Sequence, residues 1–345
     1  MYRQMMRLVT INSGILAVGL LALEIVFGSW VWSGPLDRLL IPRNSQTIYH
    51  VETPFGKWDS LYTKDEYGFR GAYDGLDNID ILTIGGSTTD QRMISDPDTW
   101  QAILSNQFLN HGRKVSVVSA AVDGHTTVGH IKTFELWLNH LPSLQVKWVL
   151  AYIGINDRYL TYGSGKDALK KDDIKRNLKR KITNNSALYH IYRTVRGMIE
   201  AEAYGVKHMQ RLNVGQIKRY LFSIPALSSK EEALLMAYEL RIRNINDQIS
   251  NLGARSIFVT QPLANSHKQG DYVYTRNGID PTGYYWMRRL NDKLMEVCLE
   301  VRAVCIDLQR DVKFGDEDFY DNVHNMPSGA KKIGEYLFLK LQNVI

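Results

Sequence analysis

Hydrophobic positions divide this chain into two regimes. From residue 8 to residue 32 the sequence is almost continuously apolar, with Glu24 as its single charge. That length suffices for a helix to cross a hydrocarbon layer roughly 30 Å thick. Beyond it, short apolar runs alternate with stretches whose apolar residues recur at helical spacing. The runs at 79–84, 114–121, 146–153, 256–261 and 303–308 predict five buried strands. Helices are predicted over 99–111, 128–141, 230–252, 285–300 and 328–341. Strands separated by helix-length connections argue for a mostly parallel five-stranded sheet covered on both faces, a three-layer α/β/α fold. In such sheets ligands bind beyond the carboxyl ends of the strands. Ser87, Gly124 and Asn156 each follow a predicted strand and should therefore meet on one rim.

The remaining segments are less regular. Residues 33–44 read as a linker near the membrane and 53–73, rich in Gly, Asp and Tyr, as irregular structure. The chain then divides into a tip, transmembrane anchor and linker over 1–45 and a large α/β domain over 46–345, with a basic helical insertion at about 160–228. A cleaved signal peptide competes with the anchor, but Phe27, Trp30 and Trp32 crowd the positions where small residues would mark cleavage. Trp30 and Trp32 instead suit an aromatic belt, with Arg3 and Arg7 on the other flank. The expectation is a single-pass membrane protein with its larger part on the periplasmic side. For Glu24, a lone protonated carboxyl is favoured over one with a partner.

Composition adds limits. At 345 residues, 44% apolar and 23% charged, the chain has room for one large globular domain with an appendage. Its net charge of +6 is uneven, for residues 161–220 hold 14 Lys/Arg against 5 Asp/Glu. Lys170, Lys171, Lys175, Arg176, Lys179, Arg180 and Lys181 belong to that stretch. A solvated helical face is the first reading, and contact with anionic lipid or an acidic polymer the second. No motif for nucleic acid accompanies the charge. The two cysteines, Cys298 and Cys305, suit either a disulfide or a pair of buried thiols on a helix and the strand after it; zinc has no supporting ligand pattern.

Four short motifs carry the candidate chemistry. Ser87 follows two glycines at a strand end, where a hydroxyl stands clear of the sheet; alone, it reads first as a helix-capping serine. Asp321 precedes His324 by three residues, a spacing that lets a carboxylate orient an imidazole whose other nitrogen faces a nucleophile. Alone, the pair reads as a surface contact or a capping Asp. Gly124 offers a backbone N–H without a Cβ in the way, and Asn156 a side-chain N–H, both suited to a developing oxyanion; alone, each is a turn residue.

Together and in this order, Ile84-Gly85-Gly86-Ser87-Thr88-Thr89, Asp123-Gly124-His125-Thr126-Thr127, Gly154-Ile155-Asn156-Asp157 and Asp321-Asn322-Val323-His324 resemble the four blocks of the SGNH (GDSL-like) hydrolases. The resemblance covers residue 79 to the C-terminus except the stretch 160–228. It implies a flavodoxin-like SGNH fold and a Ser-His-Asp acyl-enzyme mechanism with no cofactor and no metal. Ser87 would be the nucleophile, His324 the general base and Asp321 its orienting partner, with Ser87, Gly124 and Asn156 forming the oxyanion hole. The chain departs from the namesake block in placing Gly86, not Asp, before the serine, which changes the pocket wall. Membrane-anchored bacterial members look similar there. His125 is a candidate substrate contact, or else a solvent-facing turn residue; His130, Asp90 and Arg158 are further neighbours of the blocks, and Asp157 is expected to brace the Asn156 turn. The implied function is an esterase removing acyl groups, acetyl first among them, from a cell-envelope glycan or glycolipid. An O-acyltransferase with the same triad, and a non-catalytic glycan-binding or assembly protein, are the competing readings. The partners implied are an acylated glycan or lipid and the membrane.

Overall fold

The structure is a computed structural model that describes residues 2–28, 30, 41–53, 56–160, 186–189, 191–192, 217–276 and 279–345. The basic residues from Lys170 to Lys181 lie outside the described residues, as does most of the expected insertion and of the 33–44 linker. The chain forms two units, Met1–Leu40 with Lys170–Gly205, and Ile41–Leu169 with Val206–Ile345.

In the first unit, Tyr2–Phe27 is a helix. Its Met6–Phe27 segment has a mean hydropathy of 2.0 and none of that apolar surface is buried, so by length and composition it suits either a membrane anchor or a signal sequence. Glu24 differs from expectation. Its carboxylate accepts from the Trp30 indole at 2.7 Å, from the Ser186 hydroxyl, and from the N–H groups of Ala187 at 3.1 Å and Leu188 at 3.2 Å. An oxygen pair with this many donors has the partners that a lone residue in an apolar run does not reveal.

The second unit begins with an antiparallel hairpin, β1 (Ser45–Thr53) and β2 (Gly56–Lys64), paired from Ser45↔Lys64 to Thr53↔Gly56. This corrects the irregular structure expected over 53–73. The reason lies in the face that β2 buries. Trp58 and Ser60 donate to the carbonyls of Met93 and Arg92, while Tyr62 and Lys64, further along the same alternation, are buried. A strand that buries Ser, Tyr and Lys gives no apolar alternation to read.

The remaining strands, β3 (Ile79–Gly85), β4 (Val117–Ser119), β5 (Val146–Tyr152), β6 (Lys218–Leu221), β7 (Arg255–Val259), β8 (Ser266–Gln269), β9 (Tyr272–Thr275) and β10 (Val304–Ile306), make two further sheets. Five of them form the parallel sheet β10-β7-β5-β3-β4. β4 is shorter than the 114–121 run, and the helix expected over 128–141 ends at Leu136, with a 3-10 turn at Leu138–His140. One face of the sheet packs Ile81, Trp148 and Ile257 against Trp100, Leu104 and Phe108 of the helix Trp100–Asn110 and against Ile333 and Leu337 of the helix Pro327–Leu341. The helices Thr127–Leu136, Ser229–Asn251 and Thr282–Glu300 form the other layer. Thr99 and Ser228 cap two of these helices, the latter in a reciprocal capping box with Glu231. Burial on both faces explains why β3 and β5 read as unbroken apolar runs. The strands β6, β9 and β8 form a small antiparallel sheet that no sequence pattern announced. Cys298, at the end of its helix, and Cys305, on β10, are joined in a disulfide with Cα atoms 5.8 Å apart.

Behind the hairpin, Asp90 is fully enclosed. Lys64 Nζ lies 3.1 Å from its carboxylate with both side chains 1% exposed, Arg92 Nε lies at 2.8 Å, and the Tyr62 hydroxyl donates at 3.0 Å. Burial alone would raise the pKa of Asp90, but the Lys64 and Arg92 charges outweigh it and hold the carboxyl below its usual value. Ionisation of Asp90 therefore contributes stability that is complete above the ordinary carboxylate range near pH 4 and is lost as pH falls through the lower native value. Asp90→Asn leaves the buried Lys64 without its counter-charge and is expected to cost about 3–5 kcal/mol at neutral pH. Urea denaturation across acidic pH should also show a flatter pH dependence in the variant than in the parent chain.

Candidate active site

At the carboxyl end of β3 the chain passes through Gly85 and Gly86 into the short helical turn Ser87–Asp90. Gly86 has an ordinary φ of −88°, so its requirement is spatial. A Cβ there would stand 2.5 Å from Asn156 Nδ2. The amide of Asn156 thus reaches the nucleophile turn only because residue 86 has no side chain. This is what Gly86 contributes to the pocket wall.

His324 arrives from the far end of the sequence. It sits in a tight loop closed by a bridge between Phe319 and Asn325 and by the Tyr320 N–H donating to the His324 carbonyl, just before the helix at Pro327. Asp321 folds back within this loop, one carboxylate oxygen accepting from the N–H groups of Val323 at 2.8 Å and His324 at 2.7 Å. Its other oxygen lies 2.6 Å from His324 Nδ1. His324 Nε2 lies 2.7 Å from Ser87 Oγ, across 237 positions of sequence. Burial pushes the Asp321 carboxyl up, yet the bonds and charge of His324 with the two loop N–H groups outweigh it, and its pKa falls below the usual range. The Tyr320 ring stacks on the imidazole, nearly parallel at 8° and 5.5 Å between centroids.

The other two strand ends complete the rim. After β4, Gly124 adopts φ +75°, in the left-handed region, and a Cβ there would meet nothing within 4 Å. Neither its N–H nor that of Ser87 has a hydrogen-bond acceptor among the described residues. After β5, Gly154 leads into the turn Ile155–Tyr159, whose Asn156 Nδ2 donates to the His125 carbonyl at 2.9 Å. One of its two amide hydrogens is thereby used and the other remains. His125 enters the site through that carbonyl. Its ring is buried rather than facing solvent as the alternative reading had it, and stands 5.8 Å from the ring of the buried His130. Burial, with His125 beside it, puts the His130 pKa well below the usual value.

Asp157 braces the Asn156 turn as expected, while Gln261, Arg241 and Arg92, which also hold the rim together, were not singled out in the sequence. Gln261 accepts from the Ile155 N–H at 2.7 Å and donates to Thr88 Oγ1 at 2.9 Å, tying the β5 turn to the nucleophile turn. Asp157 accepts from the Thr127 N–H and hydroxyl, and Arg241 donates to both Thr127 and Asp157, so the Asn156 turn is bound to the helix after Gly124. Arg92 reaches from Asp90 to Asp123, 3.2 Å away, and joins the nucleophile turn to the Gly124 loop. The only signal for Gln261 was its polarity at the end of an apolar run.

A hydroxyl hydrogen-bonded to an imidazole that is itself bonded to a carboxylate suits nucleophilic acyl transfer. The sequence profile described as GDSL-like Lipase/Acylhydrolase matches residues 81–337. The chain belongs to this family. As a GDSL-like acylhydrolase it is a serine hydrolase acting on ester bonds. A search of curated proteins found no match. Solved structures with a similar course include a catalytic mutant of an acetylxylan esterase from Geobacillus stearothermophilus, 14% identical, covering 77% of this chain and 94% of that one, with a TM-score of 0.45. A psychrotrophic esterase from a Pseudoalteromonas species is 10% identical, with 77% and 98% covered and a TM-score of 0.43. Such distant likenesses carry no information about the substrate of this acylhydrolase.

Gly86→Ala tests the packing at the nucleophile turn. The added methyl meets the end of a movable side chain, so a stability loss under about 1 kcal/mol is expected from thermal unfolding. Displacing the Asn156 amide should nevertheless lower kcat on a short-chain ester at least about tenfold.

Proposed function

We propose that this acylhydrolase removes acyl groups, acetyl first among them, from a cell-envelope glycan or glycolipid. The observation that carries the catalytic part is the 2.7 Å contact between Ser87 Oγ and His324 Nε2, backed by Asp321. Ser87 Oγ attacks the ester carbonyl while His324 Nε2 takes its proton. The N–H groups of Ser87 and Gly124 and the remaining amide hydrogen of Asn156 receive the oxyanion. His324 then gives its proton to the departing alcohol, leaving an acyl-Ser87. Water, deprotonated by the same imidazole, releases the acid and restores the hydroxyl. Asp321 stays ionised throughout and holds the ring with Nε2 toward Ser87.

The envelope part rests on other features. An apolar N-terminal helix 22 residues long over Met6–Phe27 suits an uncleaved anchor in the manner of membrane-anchored bacterial members, with residues 46–345 as the catalytic domain on the periplasmic side. The Cys298–Cys305 disulfide accords with an oxidising compartment. A tethered esterase there meets acylated envelope polymers and lipids at its own surface.

The test uses the full chain in detergent, assayed against short-chain esters and acetylated sugars and labelled with a fluorophosphonate probe. Ser87→Ala and His324→Ala should each lower kcat by about ten-thousandfold or more, and Ser87→Ala should abolish labelling. Absence of Ser87-dependent labelling would sink the enzymatic assignment in favour of a glycan-binding protein. Product partition with an acceptor glycan decides between water and a sugar hydroxyl; dominance of transfer would make the protein an O-acyltransferase.

A further inference from the structure

Of the cations around this site, Arg158 is the one whose charge the described residues leave unanswered. It lies two positions beyond Asn156, in the turn Ile155–Tyr159 at the carboxyl end of β5. Its Nε donates to the Ile155 carbonyl at 3.0 Å and its Nη2 to the Tyr159 hydroxyl at 3.1 Å, with the guanidinium 5.0 Å from the Tyr159 ring centroid. Nη1 has no acceptor among the described residues. Among the described residues no carboxylate pairs with it. The adjacent Asp157 turns to Thr127 and Arg241, whereas Lys64, Arg70, Arg92 and Arg241 each have an acidic partner. Arg158 is also half-buried. Burial lowers its pKa from the usual guanidinium value, and Tyr159 opposes that shift.

A guanidinium remains protonated at any working pH, so its partial desolvation is uncompensated until an anion arrives. Its free edge suits the paired oxygens of a carboxylate or a phosphate. Tyr159, 68% exposed, adds a phenol and a flat apolar face beside it. We propose that Arg158 and Tyr159 form a subsite for an anionic group carried by the substrate next to its ester, a carboxylate or a phosphodiester on the acylated sugar. This rests on the esterase reading above and narrows its substrate class to acidic glycans or glycolipids.

The probes are a methyl glucoside, the matching methyl glucuronoside and a glucose methyl phosphodiester, each acetylated at the same hydroxyl. With the full chain in detergent, kcat/KM for at least one anionic probe is expected to exceed that for the neutral probe by about tenfold or more. Which anion is favoured separates carboxylate from phosphodiester. Arg158→Gln should bring the ratio to near one, and Arg158→Lys, which keeps the charge without the fork, should retain part of it. Calorimetric binding of the same probes to Ser87→Ala, with and without Arg158→Gln, reads the preference independently of turnover. Equal binding of neutral and anionic probes by Ser87→Ala would overturn the subsite, as would a preference that survives Arg158→Gln. Preferential anionic binding that Arg158→Gln removes, with no turnover of any probe by the native chain, would support the subsite and overturn the esterase reading alone.

Discussion

One hydrogen bond organises this molecule's chemistry, the contact between the imidazole of His324 and the hydroxyl of Ser87. A donor–acceptor pair weakens steeply when displaced by a few tenths of an ångström or tilted, so two loops from distant parts of the chain must be held to that tolerance. Ser87 is held by the sheet, since β3 pairs with β4 on one side and β5 on the other. His324 is held by its own loop, whose Asp321 uses one oxygen for the backbone and the other for the ring. The carboxylate therefore fixes the loop and the imidazole at the same time. The Ala264 N–H donating to the Asn322 carbonyl ties that loop to the segment following β7.

A second constraint sits beneath the nucleophile. After the turn Ser87–Asp90 the chain passes through Gln91 at φ +48°, a left-handed conformation that a residue with a side chain adopts at a cost of order 1 kcal/mol. Arg70 spans this stretch, donating to the carbonyls of Asp90, Gln91 and Ile94 and pairing with Asp96, while Gln91 accepts from the Trp100 N–H. Buried ion pairs such as Lys64–Asp90 are weak sources of net stability, because desolvation offsets their attraction. Their contribution here is geometric. The hairpin supplies Lys64 and Tyr62 to Asp90, at the end of the helical turn Ser87–Asp90 and just before the left-handed Gln91, and so fixes the backbone behind Ser87.

The sheet and its helices were legible because burial on both faces leaves unbroken apolar runs, and the four motifs were legible because three fall at strand ends and the fourth just before the final helix, in family order. The structure brings Ser87, Asp321 and His324 together and sets Gly124 and Asn156 on the same rim. What escaped the sequence was polar and buried. β2 hides its strand character behind Ser60, Tyr62 and Lys64, and Gln261 hides among apolar neighbours. Glu24 looked solitary because its partners near Ser186 lie 162 positions away. Cys298 and Cys305 were readable as residues but not as a bond, since spacing does not fix the approach of two Cα atoms. His125 stands next to a motif yet contributes its carbonyl, a distinction that side-chain identity does not encode.

The connection from β5 to β7 shows where fold and specificity separate. These strands are neighbours in the sheet, and a parallel crossover needs only a dozen or so residues, most of them helical. The chain instead runs from 153 to 254 between them, and the helix Ser229–Asn251 alone meets the topological requirement. The connection is therefore far longer than the topology requires. Asn156 at its start is an oxyanion donor in the proposed mechanism, a role that any acyl group would use equally. Arg158 and Tyr159 follow on the same turn, Arg158 donating to the Ile155 carbonyl and to the Tyr159 hydroxyl. Arg158 is half-buried and Tyr159 exposed, so both can change with less disturbance to the bond between Ser87 and His324 than the buried Asp157 beside them. Selection among substrates can therefore reside in this connection while the catalytic geometry stays fixed by the sheet.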